Sequence, residues 1–584
     1  MYSFTTEQNT FLGSSGRVIL HACPGSGKTT VVAQKVINYI KNWNRPHQGI
    51  AVLSFTNVAS DEIERQARDI LPEGYTIDAP HFIGTLDSFI DNFIFLRFGY
   101  LLLPSPKRPI IATPDIAFSY KYWKKECYQT GCVSNVNQFR WIAEGGLSKN
   151  GELITCPGTS KFGPPCYQFK KTLLNKGLFF QDEIPSLACL LLKKHPEVAK
   201  SIAARFPVII LDEAQDTSTE QMEVMDLLCE AGVESMYIVG DPDQSIYEWR
   251  TADPESFLRK MKDERWTHLS LSKNFRSSQL ICNATYVFSD VLKDRAATEA
   301  LGKTAQHPQK PIVILYGKKA GIDNVIAKFK ELCADNGIEL SPQTVALVTR
   351  AKIHADCEVR ELWKTEETEL LAKASYEWAY GKRKRAYELC EKAIFQLVVK
   401  PFSEIEISIE DDASKKYSYE FWKTLITDIL VALPSADEAC GMWVSNAKTA
   451  VQNIIQRYNV LLVNGITLSD AIKIKSRDTK KPNYKEIPVK MFFEKKTQNE
   501  FTYASVHGVK GETFEALMLL IQGTKGNTLT PSFLASGDTS KELMRIAYVA
   551  MTRPRKLLVV AMPKSTVDLS GRFPADKWEY IELV

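Results

Sequence analysis

Ala22-Cys23-Pro24-Gly25-Ser26-Gly27-Lys28-Thr29-Thr30 follows the apolar run Val18-Ile19-Leu20 and opens a helix expected over Thr29–Ile40. A strand that feeds a glycine-rich loop at a helix N-terminus is a cradle for the phosphates of a nucleoside triphosphate. Glycine at 25 and 27 lets backbone N–H groups close around the anion, and Lys28 supplies a point charge. Thr29 stands where its hydroxyl can meet Mg²⁺. The usual phosphate-loop pattern begins with glycine, and here Ala22 takes that place, so context rather than the pattern carries the reading.

Pro207-Val208-Ile209-Ile210-Leu211 reads as a strand buried on both faces, and it ends in Asp212-Glu213-Ala214-Gln215-Asp216. Adjacent acids at a strand end are, in isolation, more often a solvated turn. In a chain that also holds a phosphate loop they read as the acidic half of one site, because ligands bind at the carboxyl ends of strands in open α/β sheets. Asp212 is then placed to hold Mg²⁺ and Glu213 to orient an attacking water.

Four further blocks decide the kind of nucleotide chemistry: Asp241 to Arg250, Leu271 to Ser278, His507 to Phe514 and Tyr548 to Arg553. With Phe55-Thr56-Asn57, Gly84 to Phe89, and Gln8 in Phe4-Thr5-Thr6-Glu7-Gln8, they resemble, in order, the motifs of the UvrD/Rep-like superfamily 1 DNA helicases. The resemblance covers residues 1–100, 207–280, 343–352 and 500–562. It implies ATP and Mg²⁺, with the loop Ala22 to Thr30, Gln8, Phe275, Arg276, Gly511, Glu512 and Arg553 around the nucleotide. Phe275 would stack on adenine and Gln8 would hydrogen-bond its edge, while Gln244 would sense the γ-phosphate. Arg276 and Arg553 would join Lys28, Asp212 and Glu213 in catalysis, since a guanidinium fork matches phosphoryl oxygens. It likewise implies DNA contacts at Phe55, Thr56, Asn57, Thr85, Tyr247, Trp249, Arg250, Arg350 and His507. For Phe55 and Trp249, bases stacked on exposed rings stand against the alternative of core packing. Relatives often read Leu-Glu-Phe after the motif glycine where this chain has Glu512-Thr513-Phe514, so the ribose contact does not transfer directly to Glu512. Asp87 stands where histidine is common, and Pro554 where alanine is.

The implied fold class is α/β: two RecA-like lobes with parallel sheets, each carrying a largely helical insertion. Residues 1–90 and 205–278 form the first lobe and 91–204 its insertion; 279–355 and 497–584 form the second lobe and 356–496 its insertion. Strands are expected near 18–21, 50–54, 207–211, 236–239 and 268–271, then 311–316, 345–349, 502–506, 515–521 and 556–561. The first insertion is rich in aromatic and basic residues, among them Tyr120, Trp123, Lys124, Phe139, Arg140 and Trp141. The second contains a charged helical stretch from Val359 to Val398 and a basic segment from Lys473 to Lys496. Lys382-Arg383-Lys384-Arg385 is either a solvated face or a grip for duplex DNA.

A chain of 584 residues with 44% hydrophobic content can hold three or four domains. The formal net charge of +4 is too small to indicate nucleic-acid binding, so any groove must concentrate charge locally. No basic and apolar leader marks Met1 to Phe11, and no run approaches eighteen uninterrupted apolar residues, which fits the cytoplasm and no membrane. The twelve cysteines then read as free thiols. Cys127, Cys132, Cys156 and Cys166 lack the two close pairs of a structural zinc site and are read as plain thiols.

The family resemblance predicts a translocase or 3′→5′ helicase acting on single-stranded and tailed duplex DNA. The alternative is a DNA-activated ATPase without autonomous unwinding. In size and architecture the chain also resembles the helicase-like subunits of Gabija anti-phage systems, which partner a nuclease. Nothing in the sequence reads a 2′-OH, which leaves RNA as a remote third option.

Overall fold

The computed structural model describes residues 4–72, 75, 77–104, 107–112, 139–141, 147–149, 152–153, 165–247, 254–292, 297–317, 321–350, 363–398, 417–463, 466–474, 484–493, 500–522 and 529–583. Side chains at 112, 139, 149, 152–153, 165–169, 172 and 254 are also left undescribed. Trp249, Arg250, the aromatic and basic run at 120–125, Cys127, Cys132 and Cys156 lie outside these residues, as does the Cys166 side chain.

Short apolar runs rich in Val, Ile and Leu become strands because both their faces are covered. In the first lobe, β1 (Arg17–Ala22), β2 (Ile50–Ser54), β3 (Phe82–Thr85), β4 (Val208–Leu211), β5 (Ser235–Gly240) and β6 (Thr267–Leu271) form a six-stranded parallel sheet in the order β6-β1-β5-β4-β2-β3. Alternate residues sort to opposite faces. Ile19, Leu53, Ile209 and Ile238 join one core, and Val18, Leu20, Val52, Ile210 and Val239 join the other.

The second lobe repeats this plan. β7 (Ile312–Tyr316), β8 (Val345–Thr349), β9 (Thr502–Ser505), β10 (Phe514–Leu520), β11 (Pro554–Pro563) and β12 (Glu579–Leu583) form a parallel sheet in the order β9-β8-β10-β11-β7-β12. The two lobes are thus the α/β, RecA-like pair expected. The ten strands anticipated are present, and β3 and β12 are added. Both are edge strands: β3 is half-buried throughout and β12 is exposed at Glu579, Tyr580 and Glu582, so neither carries the continuous apolar run that marks a central strand.

Between β3 and β4, helices Ile184–Lys194 and Pro196–Arg205 pack into the same core as the sheet, with Phe89 and Phe206 in edge contact at 5.4 Å. The buried pair Lys170 and Glu183 ties helix Pro165–Lys176 to the strands beside it: Glu183 also accepts from the backbone N–H groups of Phe180 (2.9 Å) and Trp141 (3.3 Å). Between β8 and β9, helices Glu366–Ala379, Arg383–Val398, Tyr419–Ala432 and Cys440–Arg457 enclose a separate core built on Trp422 and Trp443. The basic run at its hairpin is partly engaged: Arg383 lies 3.8 Å from the Trp378 ring centre, Lys382 pairs with Glu377 and Arg385 with Glu388.

Candidate nucleotide site and interlobe cleft

The phosphate loop leaves β1 at Ala22 and enters α2 (Lys28–Lys41) through Gly25 and Gly27, both left-handed at φ 74° and 77°. Side chains rarely adopt that backbone. At Gly25 there is also no room, since a Cβ would lie 2.7 Å from Asn274 Oδ1 and 2.8 Å from Arg276 Cβ. Gly27 caps α2 without a side-chain acceptor, which leaves the first N–H groups of the helix to an anion. Ser26 Oγ, buried in the same loop, has no hydrogen-bond partner. Thr29 and Thr30 follow in the first turn, half-buried.

Other segments hold the loop. Asn274 Nδ2 donates to Pro24 O at 3.0 Å, and its Oδ1 accepts from the N–H groups of Arg276 (2.8 Å) and Ser277 (2.9 Å). Phe275 N donates to Gly25 O at 2.8 Å, and the Phe275 ring stands 37% exposed beside the loop. From the other side Gln8 Nε2 donates to Ser26 O at 3.1 Å while its Oε1 accepts from Thr5 N at 3.0 Å. Cys23 N donates to Leu271 O at 3.2 Å, and burial pushes its thiol well above the usual range.

Lys28 Nζ lies 3.2 Å from Asp212 Oδ1 and pairs with Glu213. Burial opposes the ammonium, but the two carboxylates hold its pKa above the ordinary lysine value. Glu213 sits at φ 53°, a left-handed backbone that is costly for this residue and typical of functional turns. Burial would raise its pKa, yet Lys28 and Lys510 bring it down to about 2, so the carboxylate stays ionised. Burial keeps Asp212 above its ordinary value despite Lys28. Gln215 bridges the acids to the next strand: its Nε2 donates to Glu213 and its Oε1 accepts from Asp241 N at 3.0 Å.

The second lobe closes on this site through the segment Asp241 to Tyr247. Arg553, buried between the lobes, donates from Nη2 to Gln244 Oε1 at 2.6 Å and from Nε to Val549 O at 3.0 Å. Gln244 Nε2 in turn donates to Asp241 Oδ2. Lys510 pairs with buried Asp216 and donates to Gln244 O at 2.8 Å. Arg545 Nε donates to Ser245 O at 2.7 Å, and the His507 Nε2 is 2.8 Å from Ile246 O. Arg276 Nη1 donates to Thr552 O at 3.2 Å. Arg276 is held well below the usual arginine range by burial first and then by Arg553. The buried Arg553 and half-buried Arg276 guanidiniums repel one another and form a place an oxyanion would relieve.

Beyond the cleft, Phe55, Tyr247 and His507 form a row of rings from both lobes, with centres 5.2 Å and 5.6 Å apart, and Lys510 Nζ 4.8 Å from the Tyr247 ring centre. Thr56 and Thr85, at the ends of β2 and β3, cap the helices that follow by accepting from Ala59 N (3.3 Å) and Ser88 N (3.1 Å). Asn57 is exposed and Arg350, just past β8, is half-buried. Gly511 has φ 93°, and Glu512 beside it is exposed.

The structure therefore gathers Gln8, residues 22–30, Asp212, Glu213, Gln244, Phe275, Arg276 and Arg553 around one cleft, and Phe55, Tyr247 and His507 beside it. Sequence reasoning did not single out Lys510, Gln215, Asp216, Asp241, Asn274 or Arg545. Lys510 carried a signal, a lone cation inside the block His507 to Phe514, but its partner Asp216 lies 294 residues away.

Comparison with known proteins agrees with this geometry. Residues 4–99 and 157–265 match the family described as UvrD/REP helicase N-terminal domain. The chain is similar to the Gabija protein GajB of Bacillus cereus (strain VD045), 30% identical over 279 residues, 47% of this chain and 47% of that protein. It is similar to the ATP-dependent DNA helicase Rep of Escherichia coli (strain K12), 27% identical over 286 residues, 47% of this chain and 41% of the relative. Against the ATP-dependent DNA helicase PcrA of Staphylococcus aureus (strain NCTC 8325 / PS 47) the identity is 24% over 310 residues, 51% and 41% of the two chains. The chain spans about half the length of the curated relatives it matches.

Proposed function

Because the chain carries a UvrD/REP helicase N-terminal domain, we propose that it is an ATP-dependent translocase on single-stranded DNA, acting as a 3′→5′ helicase on tailed duplexes. The observation that carries this reading is that cations of both lobes meet one set of acids: Lys28 of the first pairs with Asp212 and Glu213, while from the second Lys510 pairs with Asp216 and Arg553 reaches Asp241 through Gln244. An uncapped helix N-terminus, an unpartnered buried Ser26 hydroxyl and two repelling guanidiniums suit a polyanion such as the triphosphate.

In this reading the phosphates lie over the loop Ala22 to Thr30 with Lys28. Phe275 and Gln8 hold adenine, Gly511 and Glu512 are assigned to the rim of the nucleotide site, and Gln244 reports the γ-phosphate. Thr29 and Asp212 would hold Mg²⁺, which neutralises phosphate charge when bound. Glu213, ionised by its neighbours, orients water, and Arg276 with Arg553 stabilises charge developing on the transferred group. Phe55, Thr56, Asn57, Thr85, Tyr247, Trp249, Arg250, Arg350 and His507 are assigned to the DNA. The segment Asp241 to Tyr247 couples the sites, since Gln244 meets Arg553 and Tyr247 meets Phe55 and His507. We assign residues 1–90 with 205–278 and 279–355 with 497–584 to the two motor lobes, and 91–204 and 356–496 to their insertions. Among the described residues no helix is long and apolar enough to cross a membrane, and we place the protein in the cytoplasm.

Displacement of labelled strands tests the polarity. ATP-dependent release from a 3′-tailed duplex is expected, and release from a 5′-tailed duplex alone contradicts it. The similarity to GajB supports a second reading, a DNA-activated ATPase that regulates a nuclease in an anti-phage complex. Turnover stimulated by DNA without strand separation, together with co-purification of a nuclease, selects that reading.

A further inference from the structure

At the opposite end of the first sheet from the phosphate loop, a cavity of about 410 Å³ opens between the C-terminal half of α2 and the starts of β4 and β5. Its volume falls in the range of small-molecule sites. Lys35, Asn38, Tyr39, Asn42, Trp43 and Arg45 line it.

The charges at this cavity are already committed. Lys35, 3% exposed, spends its three protons on the carbonyls of Phe11 (3.1 Å), Leu12 (2.8 Å) and Ser14 (2.6 Å). Arg45 meets Glu234 with two parallel bonds at 2.6 and 3.0 Å. An anion would find no uncommitted fork there. The amides differ. Asn38 Oδ1 accepts from Gln34 Nε2 at 2.9 Å, and its NH₂ donates to no other group among the described residues. Asn42 Nδ2 donates to Asn38 O at 2.8 Å, and its side-chain carbonyl oxygen accepts from no side chain or backbone group among the described residues. Asn38 lies in the last turn of α2 and Asn42 is its C-cap, four residues on, and their direct hydrogen bond holds them side by side. Side by side they offer one donor and one acceptor, the complement of a ligand edge bearing an acceptor beside a donor. The rings of Tyr39 and Trp43 stand next to that edge, 6.5 Å apart and inclined by 71°, with Lys35 Nζ and Arg45 Cζ each 5.6 Å from one ring centre.

The geometry points to a second ligand site on the back of the first lobe, one that takes a neutral planar heteroaromatic of the nucleobase or nucleoside class. The site is connected to the phosphate loop at both ends. The cavity wall is the far half of α2, whose first residue is Lys28, and Lys35 pins α1 (Thr6–Gly13), whose Gln8 holds Ser26 O.

Saturation-transfer NMR with adenosine, guanosine, cytidine and thymidine tests the proposal on the full chain, with its phosphate loop filled by a non-hydrolysable ATP analogue. The expected result is transfer to base protons of at least one nucleoside, with an affinity about tenfold weaker in Asn42→Leu and in Asn38→Leu, whose melting temperatures stay at the parent value. Asn42 is exposed, so its replacement leaves the fold intact. Absence of transfer at millimolar nucleoside, or transfer undiminished in both variants, overturns the proposal. The readout needs no DNA and no turnover, so its failure is separate from failure of the motor reading.

Discussion

Arg553→Lys keeps the charge at the lobe junction and removes the fork. The guanidinium uses separate nitrogens for two neighbours, Nε for Val549 O at 3.0 Å and Nη2 for Gln244 Oε1 at 2.6 Å, and it still has N–H groups left for a phosphoryl oxygen. A lysine offers its three protons from one point on a flexible stem, so it cannot keep Val549 O and Gln244 Oε1 on separate nitrogens and still present a planar fork to the transferred group. An arginine in this role accelerates phosphoryl transfer by about 10³ to 10⁵, so kcat should fall at least about 10³-fold, roughly 4 kcal/mol of barrier. Binding of a fluorescent ATP analogue should change far less, because the interaction strengthens where charge develops. Steady-state turnover with saturating single-stranded DNA is the assay, alongside analogue titration. A kcat within about tenfold of the parent would refute the assignment of Arg553 to the transferred phosphate.

Other outcomes follow from particular contacts. Gly25→Ala, with a Cβ driven to 2.7 Å from Asn274 Oδ1 on a left-handed backbone, should abolish binding of the ATP analogue, and retained binding would show that the loop can relax. Lys510→Met leaves Asp216 buried without its cation and should cost about 3–5 kcal/mol in urea unfolding near pH 8. Burial already raises Asp216 to about 6, above its ordinary 3.8, so its protonated form favours folding at low pH and that benefit is lost as pH rises through about 6. The deficit of the variant should therefore shrink toward pH 5, and a deficit that grows there contradicts the assignment. Phe55→Ala should weaken single-stranded DNA binding by about 1–3 kcal/mol in anisotropy titrations, with unchanged affinity placing the DNA elsewhere. Trp422→Ala, which removes a core ring and the indole donor to Glu391 at 2.8 Å, should lower the unfolding free energy of the second insertion by about 3–5 kcal/mol, seen as an earlier melting transition.

Most of the first lobe was legible because its chemistry is local in sequence. The phosphate loop and Asp212-Glu213 each sit at the end of an apolar run, and strand ends are where ligands gather. Edge strands β3 and β12 were not legible, since Phe82-Ile83-Gly84-Thr85 has only two apolar residues before a glycine and Glu579 to Leu583 interleaves two acids with its apolar residues. The cross-lobe contacts were harder still. Gln244 and Arg553 are 309 residues apart, and only the resemblance linked them; the pairing of Lys510 with Asp216 had no such guide. Asp87 gains an account from the fold: its Oδ1 accepts from Gln221 Nε2 at 2.6 Å, which joins the segment after β3 to the capped start of helix Thr219–Glu230. The Gln8 side chain was assigned to adenine from sequence, and in the fold it also braces Ser26 O, a structural duty that pattern reading could not separate from recognition.

The most direct test of the motor is ATP turnover by the purified chain as single-stranded DNA is added. Saturable stimulation, lost in Glu213→Gln while binding of the ATP analogue persists, is the expected result. Turnover that is indifferent to DNA, or that survives in Glu213→Gln, would contradict the account.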